Sequence, residues 1–299
     1  MKKYMYIIFS LLLSNATFAQ DKNNDLALKI RQVIADFEGE IGIYVWHEKD
    51  GESVNIQADS LFPTASLVKI PILVGIFDKI KQGEFTLDQK FVYDANRAYG
   101  GSGLMQFYKD SAQTDLSTMI ALMLTFSDNV TSIWLQELAG GGARINTLMD
   151  ELGLVNTKVN SRTEGRKEIW EKYGWGHSTP KEMSELFLAI RRGKVIDKRH
   201  SDRMYRYLKN QFYDERSLSQ IPAEINTIAK TGSLNKSRSE VVLVNAPSGD
   251  YVFTVMTKNN KDESWTHRNS AEELTRKISN IIWNHYEPQY PFTPFERIQ

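Results

Sequence analysis

Ser66 and Lys69 stand three residues apart in the run Pro63-Thr64-Ala65-Ser66-Leu67-Val68-Lys69, at the head of a stretch with apolar residues at helical spacing. On a helix that step puts both side chains on one face. A helix start favours negative charge on the serine. A partly desolvated lysine beside it can lose its proton and take the serine's. A cap serine followed by a solvated lysine would read the same way. Ser127-Asp128-Asn129 lies in a break between two apolar runs. Its serine could relay a proton and its asparagine amide could hold a carbonyl, although all three residue types also suit a helix cap. Lys230-Thr231-Gly232 closes a β-rich stretch. The lysine and threonine can bind a carboxylate, and the glycine lets a ligand approach the strand closely. An ordinary strand end would read alike.

The elements that must position these residues are legible in the periodicity. Leu26, Ile30, Val33, Ile34 and Phe37 predict an opening amphipathic helix. Two β-rich stretches around Lys49-Asp50-Gly51-Glu52 predict a hairpin. The middle is helical, with apolar faces at Leu67–Ile80, Leu116–Leu124 and Ile145–Leu152. Thr179-Pro180-Lys181-Glu182 reads as a capping box opening another helix. Strands are expected at 225–232, 240–245 and 251–258, then a last helix near 271–285. This order predicts an α/β (α+β) fold: an antiparallel five-stranded sheet flanked by terminal helices, with an all-helical domain inserted. The sheet domain is expected from residues 20–80 plus 213–299 and the helical domain from 81–212, with the active site between them. The six scattered tryptophans read as core.

Composition removes several function classes. The 299 residues are 41% hydrophobic and 25% charged, as in an ordinary globular enzyme. Lys+Arg and Asp+Glu are both 37, so no global field draws the chain to nucleic acid or an anionic membrane. The absence of cysteine excludes thiolate zinc sites, iron–sulfur clusters and a cysteine nucleophile. The five histidines show no metal-ligand spacing, so neither a metal nor another cofactor is expected. Lys2 and Lys3 precede an apolar run over residues 4–13, and Thr17-Phe18-Ala19 offers a small-residue cleavage site. The run is shorter than the ~20 residues that span a bilayer. Residues 1–19 therefore read as a signal peptide, with an uncleaved anchor as the alternative. The chain is expected in the periplasm or medium, without membrane attachment after cleavage, and, as nothing suggests an obligate dimer, as a monomer.

Taken together and in order, the three motifs resemble the signature of the class A serine β-lactamases, within the penicillin-recognising serine hydrolases that include the D,D-peptidases. The resemblance implies Ser66 as the acylated nucleophile, Lys69 as the group that helps deprotonate it, and Ser127 as the relay to the leaving nitrogen. It implies that Asn129 positions Lys69 and the substrate amide, and that Lys230, Thr231, Gly232 and Ser233 form the carboxylate-binding wall. The backbone N–H groups of Ser66 and Ser233 would form the oxyanion hole. Tyr99 and the Gly100–Gly103 loop read equally as the rim of the cleft or as an ordinary turn before a helix.

One region departs from the family pattern. A deacylating glutamate is expected in Arg-x-Glu-x-x-Leu-Asn, and this chain reads Arg162-Thr163-Glu164-Gly165-Arg166-Lys167-Glu168. Glu164 is the expected base, with Glu168 as a substitute. Arg216 precedes the third motif at a distance where some relatives carry a carboxylate-supporting arginine. The resemblance implies β-lactam hydrolysis and antibiotic resistance. A D,D-carboxypeptidase or esterase acting on cell-wall peptides, and a non-catalytic β-lactam or muropeptide binder, are the alternatives.

Overall fold

The computed structural model describes residues 25–294. The expected signal peptide, residues 1–19, lies outside the described residues. Helix α1 (residues 25–34) leads into the hairpin β1 (Glu40–His47) and β2 (Ser53–Ile56). After the short β3 (Phe62–Pro63), a 3-10 turn over Ala65–Val68 runs directly into α2 (Lys69–Lys81). The helical part follows: β4 (Lys90–Val92), β5 (Gln113–Asp115), α3 (Leu116–Thr125), α4 (Asn129–Leu138) and α5 (Gly141–Glu151). Next come β6 (Lys158–Val159), α6 (Lys167–Tyr173), β7 (Gly176–Ser178), α7 (Pro180–Arg191) and α8 (Lys198–Leu208). The chain then returns through β8 (Thr227–Leu234), β9 (Ser237–Ala246), β10 (Gly249–Lys258) and α9 (Ser270–Tyr286).

The main sheet is antiparallel with order β2-β1-β10-β9-β8, the expected five strands. Its centre joins the two ends of the chain, Ile43 facing Val255 across β1 and β10. Both faces are covered. Val242, Val244, Tyr251 and Phe253 pack toward α1 and α9 with Leu26, Ile30, Ile278 and Trp283. Their neighbours Val241, Leu243, Val252 and Met256 join the larger core of the helical part with Leu73, Phe77, Met119 and Leu186. This double covering explains why β9 and β10 read as continuous apolar runs rather than alternating ones. Each such side chain contributes roughly 1.5–3 kcal/mol on burial. The face of α2 that carries Leu73 and Phe77 shares this larger core with α3–α5 and α8.

Helix starts follow the predicted chemistry. The carboxylates of Asp115, Asp128 and Asp197 accept from the backbone N–H three residues on, and Pro180 fills the first position of α7. The capping box is only half formed. Thr179 Oγ1 accepts from Glu182 N at 3.1 Å. The Glu182 carboxylate instead accepts from Asn156 N and, at 2.7 Å, from the Thr157 hydroxyl, tying the 154–160 segment to α7. The tryptophan expectation needs correction as well. Trp134 and Trp283 are core, but Trp170 and Trp265 are 44% and 66% exposed.

Candidate active site

Three segments converge where the sheet meets the helical part. The Ala65–Val68 turn carries Ser66 and delivers Lys69 as the first residue of α2. The junction of α3 and α4 carries Ser127 and Asn129, and β8 carries Lys230 through Leu234. Two of these segments are bent against ordinary backbone preference: Ala65 and Ser127 have φ of +46° and +53°. Such left-handed non-glycine residues persist only where surrounding packing holds them.

Lys69 is fully buried. Its Nζ lies 3.1 Å from Ser66 Oγ, 3.0 Å from Ser127 Oγ and 3.0 Å from Asn129 Oδ1, and also donates to the Ser127 carbonyl. Burial first, and the charge of Lys230 second, hold its amine well below the usual lysine range. A neutral amine has two N–H donors and one lone pair. The Asn129 and Ser127 carbonyls can only accept, so they take the two donors. The lone pair is left for a hydroxyl proton, and Ser66 Oγ is in reach.

Lys230 is also fully buried and lies 3.2 Å from Ser127 Oγ. The Ser127 hydroxyl thus bridges two amines, a geometry suited to passing a proton between them. Burial and, next, the nearby Arg216 lower Lys230 to about 7. The unfolded chain keeps an ordinary lysine, so it binds more protons than the folded chain between about pH 7 and ~10.4. This group therefore adds stability as pH rises through that window. A carboxylate docked on Lys230 has the opposite effect and draws the proton back. Binding of a carboxylate ligand at pH 8 is expected to take up a fraction of a proton, read by calorimetry in two buffers of different ionisation enthalpy. Buffer-independent heat would contradict it.

The opposite wall is built by Asp128, which is fully buried. Its carboxylate accepts from Leu104 N at 2.6 Å, Met105 N at 2.7 Å and Thr131 N at 2.9 Å, folding the 100–105 loop onto the start of α4. Asn129 Nδ2 donates to Gly100 O at 3.1 Å.

Gly232 lines the cavity and also permits a second close approach. The Ser66 turn packs against its backbone. A Cβ there would lie 2.6 Å from Thr64 O and 2.9 Å from Ser66 N. Glycine therefore sets the approach of β8 to Ser66, and with it the spacing of the two backbone N–H groups expected to hold an oxyanion. Gly232→Ala is expected to cost about 1–3 kcal/mol of stability, measurable by denaturant unfolding. A fully stable variant would show that the turn can give way.

Arg216 belongs to this wall and is not a surface side chain. It is 9% exposed, and its guanidinium donates to Ser233 Oγ at 2.6 Å and Glu272 Oε1 at 2.7 Å. Arg238 holds the same Glu272 oxygen at 3.1 Å. Ser66, Ser127, Asn129, Thr231, Gly232 and Ser233 all line one cavity of about 670 Å³.

The two loop glutamates are not brought to it. Glu164 is exposed in the turn before α6, and Glu168 is exposed in the first turn of that helix. Neither lines the Ser66 cavity. The physical reason is local. Residues 167–173 coil into α6, so the part of the segment that meets the cavity is Gly174 and Trp175. The loop's neck is closed without a carboxylate: Asn160 N donates to Trp175 O at 2.7 Å, Asn160 Nδ2 to Gly174 O at 3.2 Å, and the Arg166 guanidinium Nε to Asn160 Oδ1 at 3.0 Å. The carboxylates that do line the cavity are Glu215 and Glu272, the latter engaged by its two arginines.

Comparison with known proteins agrees with this geometry. A sequence profile of the "Beta-lactamase enzyme family" matches residues 25–286. The chain is 20% identical over 297 residues to β-lactamase VEB-1 of Pseudomonas aeruginosa, covering 95% of this chain and 98% of that protein. It is 24% identical over 291 residues to β-lactamase SME-1 of Serratia marcescens, covering 92% and 96%. Among solved structures, a class A β-lactamase from Mycobacterium abscessus superposes with a TM-score of 0.78 at 22% identity, over 87% of this chain and 99% of that one. A variant of PBP-A, solved as an acyl-enzyme complex with penicillin G, gives 0.78 at 25% identity, over 89% and 97%.

Proposed function

Because the chain belongs to the β-lactamase enzyme family, we propose that it is a serine hydrolase that opens the β-lactam amide through an acyl-enzyme on Ser66. The observation that carries this reading is the buried Lys69 amine, with its lone pair left for the Ser66 hydroxyl. In the first step Lys69 takes the Ser66 proton as Ser66 Oγ bonds to the β-lactam carbonyl carbon. The backbone N–H groups of Ser66 and Ser233 receive the developing oxyanion. The C–N bond then breaks, and the proton passes from Lys69 through Ser127 to the leaving nitrogen. Lys230, Thr231 and the Arg216-supported Ser233 hydroxyl bind the substrate carboxylate, and Asn129 its amide. This set of roles suits a β-lactam whose substrate carboxylate and reacting amide lie close together.

The second step differs from the expected one. With Glu164 and Glu168 outside the cavity, the base nearest the ester is again Lys69. Release by water is slower than acylation, and the acyl-enzyme accumulates. The same feature favours a second reading, in which a cell-wall peptide ending in D-alanine is the natural acyl donor. We further propose that residues 1–19 export the enzyme to the periplasm or medium, where it lowers the effective dose of β-lactams.

Mass spectrometry of the protein mixed with a penicillin tests both steps. The expected result is an adduct of intact penicillin that forms quickly and decays slowly, at the same rate in Glu164→Gln as in the parent. A decay arrested in Glu164→Gln would restore that glutamate as the base. Absence of any adduct would remove the acyl-enzyme reading.

A further inference from the structure

Beyond the Ser66 cavity lies a second groove of about 540 Å³, and the two share Tyr99 and Trp175 as a common wall. These rings meet edge to face at 5.5 Å. On the far side the groove is lined by Trp170 and by three charged side chains, Arg162, Glu164 and Lys167. None of the three has an ion-pair partner among the described residues, whereas cations such as Arg144 and Arg191 are each paired with an aspartate. Arg162 adopts φ of +49°, and its guanidinium stands over the Tyr99 ring at 5.6 Å. Trp170 and Tyr99 remain 44% and 40% exposed. A groove with aromatic walls and unmatched charges of both signs, opening onto a reactive serine, has the composition of a site for a short chain with a charged tip.

We propose that this groove receives the distal end of the acyl group transferred to Ser66, and that this end is an α-amino acid. Its carboxylate meets Arg162 and Lys167, its ammonium meets Glu164, and its methylene chain crosses the Tyr99–Trp175 pair and lies along Trp170. The proposal rests on Ser66 being acylated, and it gives Glu164 a role in choosing the substrate. The unused chemistry of the loop is thereby accounted for: its charges face the groove, where they act on binding, and not the ester.

The test compares acylation rate constants for two penicillins of equal side-chain length, one ending in an α-amino acid and one in a methyl group. A second arm uses two D-alanyl-D-alanine peptides with the same two acyl ends and reads D-alanine release. It decides whether the charged tip is read on a β-lactam, a peptide or both. The expected preference for the charged tip is about tenfold at low salt, falling as salt screens the exposed charges. Arg162→Ala and Lys167→Ala should each bring the ratio of the two rates toward one. Glu164→Gln should lower the preference for the zwitterionic end while sparing it for an end carrying only a carboxylate. Equal rates for both ends in the parent protein would overturn the proposal, as would variants that slow both substrates alike and leave the ratio unchanged. Failure of both penicillins to acylate the parent would instead overturn the acyl-enzyme reading, and this proposal with it.

Discussion

A Ser66→Ala chain takes up no penicillin covalently at any time or concentration, while still binding it reversibly. The competing hydroxyl is Ser127, which lies equally close to Lys69. It is a poor nucleophile here because its oxygen is already shared between the amines of Lys69 and Lys230, and a neighbouring cation withdraws the lone pairs that attack would need. Ser66 Oγ meets a single amine, that of Lys69. Removing its hydroxyl deletes one neutral hydrogen bond, at a cost of about 1 kcal/mol, so the fold and the carboxylate wall survive. Calorimetry should still register the reversible complex. An adduct on Ser127 in this variant would reassign the nucleophile.

Lys69→Met should lower the acylation rate constant by about 10²–10⁴-fold, the usual worth of a positioned general base. Methionine matches the length of the lysine stem, so the core of the helical part stays filled. The informative readout is the pH profile. In the parent, acylation declines on the acid side as the Lys69 amine, held far below its ordinary value by burial and by Lys230, takes a proton. That decline should vanish in the variant, because the residual rate no longer depends on a lone pair at this position. A loss under tenfold, or an unchanged acid limb, would show that Lys230 or another group takes the Ser66 proton.

The parts of this site that could be read in the chain are those set by contiguous residues. Ser66 and Lys69, Ser127 and Asn129, and Lys230 through Ser233 each sit on one element whose local pattern announces it. Antiparallel closure of the sheet then brings the ends together. What could not be read depends on choices between distant segments. The face that a connecting segment turns toward the cavity is decided by where it coils, and the seven residues of α6 send Glu164 outward in spite of a plausible position in the chain. Arg216 looks like any surface arginine until Glu272, from the last helix, is placed against it. Gly232 announces a close approach but not its partner. Trp170 stands in a charged stretch beside Lys167 and Glu168, and that composition is the local sign of its 44% exposure.

The Gly174-Trp175 corner has a consequence at the level of the living cell. A hydrogen atom and an indole do nothing to quicken water, so under the slow release proposed above each protein molecule that captures a β-lactam would stay occupied for a long time. Under the same proposal, protection would scale with the number of copies exported rather than with how fast each one works. A host relying on this chain would tolerate a brief pulse of drug and succumb to a sustained one.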